Sequence, residues 1–296
     1  MKTNTQIFKF VCASPRLVTI TTACLFLATS LAFGKDKGFN FTSYDVPGAV
    51  TTAGQGNNDK GDIVGFYSND GLSDHGFLLD KKGTFTTIDV PGATDTAPRG
   101  INSRGDIVGE WDNNINNFGF LLSKGVYTTL FDPLGTDTLA KAINAKGDVV
   151  GFYFDGSGNE HGFLLSGGIY TTIDFPGALA TELYGINDSG DIVGTEFNSG
   201  GTPHGFLLGK KGGFAMIAPT GALGSQARGI NSSGDIVGTF GDVVGEHGFV
   251  LIKGAYTIFD VPGAAQTNPR GISARGDISG NYNDGSGNTH GFLATK

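Results

Sequence analysis

The chain has 296 residues with 50 Gly and 23 Phe, 39% hydrophobic and only 16% charged residues, and a formal charge of −8. Glycine at one position in six and the lack of long helix-forming blocks exclude a helical bundle. The aromatic and apolar content excludes a disordered chain and leaves a turn-dense all-β protein.

Residues 1–32 differ from everything after them. Lys2, Lys9 and Arg16 precede an apolar stretch from Leu17 to Phe33, and Ser30-Leu31-Ala32 places small residues at the −3 and −1 positions of a signal-peptidase site. The pattern predicts a cleaved secretory signal, because the apolar stretch is just short of the roughly 18–20 residues of a membrane span. Thr21-Thr22-Ala23 before Cys24 lacks the Leu of a lipoprotein site. A secreted, extracellular protein with no membrane span after cleavage is expected. Cys12 and Cys24 both fall in this segment, so the mature domain has neither a disulfide nor a thiolate for metal binding or catalysis. Without the three signal cations the charge drops from −8 to −11, which argues against nucleic acid or an anionic membrane as partner.

Residues 38–296 are organised by repetition. His-Gly-Phe begins at His75, His161, His204, His247 and His290, with Phe118-Gly119-Phe120 in the missing slot, at a constant step of 43 residues. Gly-Asp recurs at Gly61, Gly105, Gly147, Gly190, Gly234 and Gly276, and variants of Asp-Val-Pro-Gly-Ala start at Asp45, Asp89, Asp132, Asp174 and Asp260, with Ala218 opening a degraded member. Phe39 to Lys296 is six times 43 residues. In the unit from Arg99, the predicted strands are Arg99–Asn102, Asp106–Trp111, Phe118–Leu122 and Val126–Phe131, separated by turns at Gly105 and Gly125 and stopped by Pro133. Four antiparallel strands in such a period make one propeller blade, and strands apolar on both faces suit blades buried between neighbours. The expected fold is therefore all-β, a six-bladed β-propeller of residues 38–296. The last unit has three strands, and Phe39–Val46 is a strand without a blade. The N-terminal strand is predicted to close the ring beside Gly291-Phe292-Leu293, as the outermost strand of blade six.

The consensus Gly-Ile-Asn-x-x-Gly-Asp-Ile-Val-Gly followed by His-Gly-Phe-Leu-Leu resembles the extracellular repeats of the HAF family, bacterial secreted proteins named for a His-Ala-Phe tripeptide. The resemblance covers all six units. It departs in Gly76, Gly162, Gly205, Gly248 and Gly291, where the family has Ala, and in Asp-Val-Pro-Gly-Ala in place of a Gly/Leu-rich end. It implies secretion and a propeller, and it brings no catalytic residues.

Strand order puts the tight turns on one face. The longer loops, such as Asp155 to Asn159, share the other face with the Pro-Gly-Ala linkers, making it the candidate binding face. Two residues before the Ile of each channel strand stand Arg99, Lys141, Tyr184, Arg228 and Arg270, with Gln55 in the first unit. Four cations at one repeat position are expected to converge at the channel mouth. They would either bind an anionic glycan or peptide, or pair with linker carboxylates such as Asp95 and Asp137 and brace the blades. Trp111, the only Trp, offers either a stacking platform or interblade packing; its equivalents are Tyr67, Tyr153, Glu196, Phe240 and Tyr282. The histidines, one per blade, stand too far apart to share a metal, and each is expected to orient a local loop with a neighbouring Asp. Asp155-x-Ser157-x-Asn159 and Asp284-x-Ser286-x-Asn288 alternate oxygen-bearing side chains as calcium loops do, although hairpin loops want the same residues. No cofactor is expected, with calcium the one ion these loops suggest. The favoured function is a monomeric, non-catalytic binding or scaffold propeller. Its rival, a hydrolase or lyase of extracellular polysaccharide, requires unlike groups drawn from Glu110, Glu160, Glu182, Glu196, Glu246 and the histidines to meet at the channel.

Overall fold

The computed structural model describes residues 31–36 and 38–296; the expected signal segment lies outside them except for Leu31 and Ala32. Each repeat folds into four antiparallel strands, running from the central channel outwards. Blade one comprises Thr51–Asn57, Ile63–Ser68, His75–Leu79 and Phe85–Ile88. The inner strands of the following blades are Asp95–Ile101, Asp137–Ile143, Ala180–Ile186, Gly224–Ile230 and Gln266–Ile272. The six-bladed propeller is thus as expected, but the inner strand of blade two begins at Asp95 rather than Arg99. The extension arises because the hydroxyl of Thr96, buried on this strand, accepts the N–H of Val90 in the preceding linker at 3.1 Å. Thr52, Thr138, Thr181 and Thr267 hold their own linkers in the same way.

The His-Gly-Phe phenylalanines make the core. Phe77, Phe120, Phe163, Phe206, Phe249 and Phe292 are each at most 1% exposed, which contributes on the order of 1.5–3 kcal/mol per ring. Each lies over the Gly of Ile-Val-Gly on the adjacent strand. A Cβ at Gly109 would stand 2.7 Å from the Phe120 ring and 2.3 Å from the Ala97 carbonyl oxygen, so the glycine is fixed by close approach.

The Gly-Ile-Asn-x-x-Gly-Asp signature forms a turn and an interblade seam together. Asn102 Oδ1 accepts the N–H groups of Arg104 and Asp106 at 2.9 and 3.0 Å, while its Nδ2 donates to Asp106 and, at 3.1 Å, to the Asn144 carbonyl of the next blade. Asn58, Asn144, Asn187 and Asn231 repeat the link around the ring.

Blade six is completed by Phe39–Tyr44, which pairs antiparallel with Thr289–Thr295 in the register Phe41↔Ala294 and Ser43↔Phe292. Ring closure by the N-terminal strand is as expected, but this strand is not outermost. Leu31–Asp36 pairs along its free edge, with Ala32 opposite Thr42, because an unpaired edge still presents its N–H and C=O groups to a further strand. Among the described residues, no helix is long and apolar enough to cross a membrane.

Candidate functional site

Ladder pairing of each inner strand with its neighbour slips at one place. The register jumps from Pro98 to Gly100, Ala140 to Ala142, Leu183 to Gly185, Ala227 to Gly229 and Pro269 to Gly271, and from Gly54 to Asn57 in blade one. The skipped residues are Arg99, Lys141, Tyr184, Arg228 and Arg270, with Gln55 and Gly56 in blade one. A bulge turns its side chain away from the sheet, and these bulges send all six long side chains into the channel. Gln55, Arg99, Lys141, Tyr184, Arg228 and Arg270 line one cavity of about 210 Å³. The inner strands run from the linkers toward the Asn turns, so the cavity lies on the longer-loop side of the Gly and Ile layers. Beneath it the channel narrows to two spaces of about 90 Å³ each.

The cations are not equivalent. Glu110, on the second strand of blade two, accepts from Arg99 Nε at 3.0 Å and from Lys141 Nζ at 2.6 Å, bridging blades two and three. The brace therefore exists, but its carboxylate is Glu110 and not the linker Asp95 or Asp137. Those two accept the N–H groups of Asp74 and Asn117 instead. Despite the burial that opposes it, two neighbouring cations hold the Glu110 carboxyl down at about 2. Burial, with Arg99 adding to it, pulls Lys141 down to about 8. Across the cavity, Tyr184 donates to Glu182, and Arg228 donates to Gln226 while its guanidinium lies 3.8 Å over the Tyr184 ring. Among the described residues, Arg228 Nε and Arg270 Nε are buried without a partner. Burial, reinforced by Arg228 and Arg99, lowers Arg270 to about 9.

The next shell divides the same way. One position of the second strand, opposite Ala53, Ala97, Leu139, Glu182, Gln226 and Asn268, carries Phe66, Glu110, Phe152, Thr195, Thr239 and Asn281 in blade order. In blades one to three, Arg99 lies 4.8 Å over Phe66 and Lys141 4.9 Å over Phe152. In blades four to six the position is polar, and Thr195 Oγ1 and Asn281 Oδ1 are buried without partners among the described residues.

Trp111 stands apart from this cavity. It stacks on Phe118 at 4.8 Å and packs against the cluster of Val64, Ile107 and Phe120. In other blades the equivalent ring stacks on the histidine, as Tyr153 does on His161 and Tyr282 on His290, so Trp111–Phe118 is the same contact with both partners exchanged. The histidines hold the linkers as expected: His75, His161, His247 and His290 meet Asp89, Asp174, Asp260 and Asp45 at 2.8–3.0 Å. Where that Asp is replaced by Ala218, His204 meets Glu196 instead, at 2.6 Å. Asp132, whose histidine is replaced by Phe118, is buried with Oδ2 unpartnered, and burial raises its carboxyl. In the loop suggestive of calcium, Asp155 Oδ1 accepts the N–H groups of Ser157 and Asn159 and Oδ2 accepts from the Asn159 amide, closing a hairpin on itself. Among the described residues no group of three or more His, Cys, Asp or Glu is placed to hold a metal ion.

Sequence reasoning found the ring but missed its carboxylate. The available signal was that Glu110 breaks its repeat position, as Glu182 also does.

Fold and site together define a six-bladed propeller with a half-neutralised, cation-lined axial cavity. No family model and no curated protein matches the sequence. The structure is similar to TolB from Acinetobacter baumannii, with a TM-score of 0.55 and 12% identity over 79% of this chain; it spans 64% of TolB. It is also similar to the six-bladed fucose-recognising lectin of Aleuria aurantia, with a TM-score of 0.53 and 11% identity over 82% of this chain and 91% of the lectin. A mutant of AofleA from Arthrobotrys oligospora gives 0.51 and 10%, over 80% of this chain and 87% of that one. At these identities the likeness is one of fold.

Proposed function

We propose that the chain is a secreted bacterial binding propeller of HAF-type repeats that captures an anionic extracellular ligand in its axial cavity, without catalysis. The observation that carries this reading is the pair of buried, unpartnered guanidinium nitrogens of Arg228 and Arg270 in the cavity wall. Cationic donors withheld from solvent and from protein partners are completed by an anion from outside. The fucose recognition of a fungal lectin of similar shape supports a binding role for this architecture. Glu110 is a poor general acid, because two cations keep it ionised. Glu196 faces His204 away from the cavity, so it does not join Glu110 as a catalytic pair.

The test is an array of acidic and neutral glycans and acidic peptides, probed with the exported protein at low and at physiological salt. Binding confined to acidic members and weakened by salt is expected; binding to none of them, or to neutral members alone, overturns the proposal. The N-terminus of the exported protein is expected at Phe33.

A further inference from the structure

The two faces of the ring differ in charge. Strands alternate in direction, so the longer loops and the linkers lie on one face, while the turns between first and second strands share the other with the turns between third and fourth strands. Within residues 38–296, every Lys and Arg outside the axial cavity belongs to the tight-turn face. Lys60, Arg104 and Lys146 stand in the inner turns, Lys81, Lys124 and Lys211 in the outer ones, and their counterparts follow the same rule down to Lys296 at the end of a third strand; all are exposed. Carboxylates on that face are largely drawn into the turns. Asp106 accepts from Asn102 and Ser123, and Asp62, Asp148, Asp191 and Asp235 accept from their own turn Asn.

The longer-loop face has the opposite sign. Asp70, Asp112, Asp155, Asp242 and Asp284 lie at its loops, and Asp45, Asp89 and Asp174 are exposed in its linkers. Hydrogen bonds from within the loops hold Asp70, Asp155, Asp242 and Asp284 below the usual carboxylate range, so their charges persist into mild acid. Aliphatic side chains rise among these acids. Leu72, Ile115, Val243 and Val244 at the loop tips are 82–89% exposed, and Val50, Leu179 and Leu223, just before inner strands, are 55–64% exposed. Exposed apolar groups gathered on one face and rimmed by charge mark an interaction surface.

A partner for this face must bring cations with aliphatic side chains between them. The tight-turn face of the chain itself carries both, since Val126 and Ile169 stand out there at 65% and 69% exposure beside the lysines. The two faces are the two ends of the same six sets of strands, so their charges recur around the axis with the same angular step. We propose that the longer-loop face seats the tight-turn face of a second copy, stacking propellers head to tail along their common axis. Opposed charge sets the orientation and the aliphatic tips supply the contact. Such a contact is heterologous and leaves one unlike face free at each end of a stack. The inference goes beyond the anion site, whose cations lie deeper, on the bulges of the inner strands, and whose cavity stays uncovered at one end of each stack.

Sedimentation of the exported protein over a range of concentrations tests this. Its average mass is expected to rise with concentration at about 20 mM salt, and the association to weaken about tenfold or more at about 300 mM salt. Two variants separate the faces, one carrying Lys81→Glu, Lys82→Glu, Lys210→Glu and Lys211→Glu, the other Leu72→Ser, Ile115→Ser, Val243→Ser and Val244→Ser. Each is expected to melt as the unmodified protein does and to remain monomeric alone. Mixed, they should form a dimer and nothing larger, because each retains the face that the other has lost. An unmodified protein that stays monomeric, a variant that associates as the unmodified protein does, or a mixture that stays monomeric or grows past the dimer overturns the stack. A monomer that instead binds an oligolysine peptide, or sediments with phosphatidylcholine vesicles, through the same loop tips overturns it as well and assigns the face to a basic partner or to a membrane.

Discussion

Glu110 does what no other residue at its repeat position can, because a carboxylate there reaches the bulge residues of two blades at once. Among the described residues, removing it leaves Arg99 and Lys141 buried together with neither in contact with a carboxylate. Breaking a buried ion pair in this one-sided way costs about 3–5 kcal/mol. With Glu110 15% exposed, Glu110→Gln is expected at the lower end, and at roughly 2–4 °C per kcal/mol it lowers the melting temperature on the order of 10 °C. The acid side gives a second readout. The folded carboxyl titrates at about 2 against an ordinary 4.5, so its stabilisation is complete above pH 4.5 and is lost as the pH falls through 2. Melting curves over that window are expected to fall more steeply for the wild type than for Glu110→Gln. Equal slopes would mean the triad does not hold the carboxyl down. Sequence reasoning offered linker carboxylates such as Asp95 and Asp137 as the brace, beside an anionic ligand, because it lacked the cross-strand register that places Glu110 opposite Ala97, two residues from Arg99.

At the scale of the strand, turns and hydrophobic runs were legible, since Gly105, Gly125 and Pro133 mark where the chain must stop and reverse. The bulge was not. No residue type in Pro98-Arg99-Gly100 marks it, and only the pairing with Gly109 and Val108 reveals that Arg99 is the residue left over. The glycine after the bulge permits the close approach of adjacent inner strands. A Cβ on Gly229 would stand 2.6 Å from the Arg270 carbonyl oxygen and 3.0 Å from the Val237 side chain. Gly229→Ala is therefore expected to cost about 1–3 kcal/mol by overpacking, and to displace Arg270, so that anion affinity falls together with thermal stability. Blade three supplies the control, because Ala142 already occupies this position. Ala142→Gly should leave anion affinity within about twofold and stability within about 1 kcal/mol. If Gly229→Ala changed neither quantity, the close packing of inner strands would not be what fixes the ring.

For the whole molecule, closure was legible because two deficits matched, a last unit one strand short and a first segment with no blade. The added strand at Leu31–Asp36 was not, since Leu31 and Ala32 read as the end of a signal and Phe33 to Asp36 precede the first repeat. The closing strand does more than complete a sheet. Phe39 and Phe41 pack on Phe259 of blade five at 5.1 and 6.1 Å, Phe41 on Phe292 of blade six at 6.3 Å, and Tyr44 on Phe77 of blade one at 6.3 Å. One strand thus wedges three blades together. Its three buried rings represent about 5–9 kcal/mol at roughly 1.5–3 kcal/mol each, comparable with the total stability of about 5–15 kcal/mol of an ordinary domain. A chain beginning at Ala49 should lose cooperative unfolding, whereas Phe41→Ala should retain it with stability lower by about 3–5 kcal/mol. A chain beginning at Gly38 keeps the wedge and should melt within a few degrees of the exported protein beginning at Phe33. Calorimetry of the four proteins separates the cases. An Ala49 chain that melts as sharply and as high as the others would mean the ring holds without its closing strand, and that the six inner strands, joined by their Asn seams, carry the closure alone.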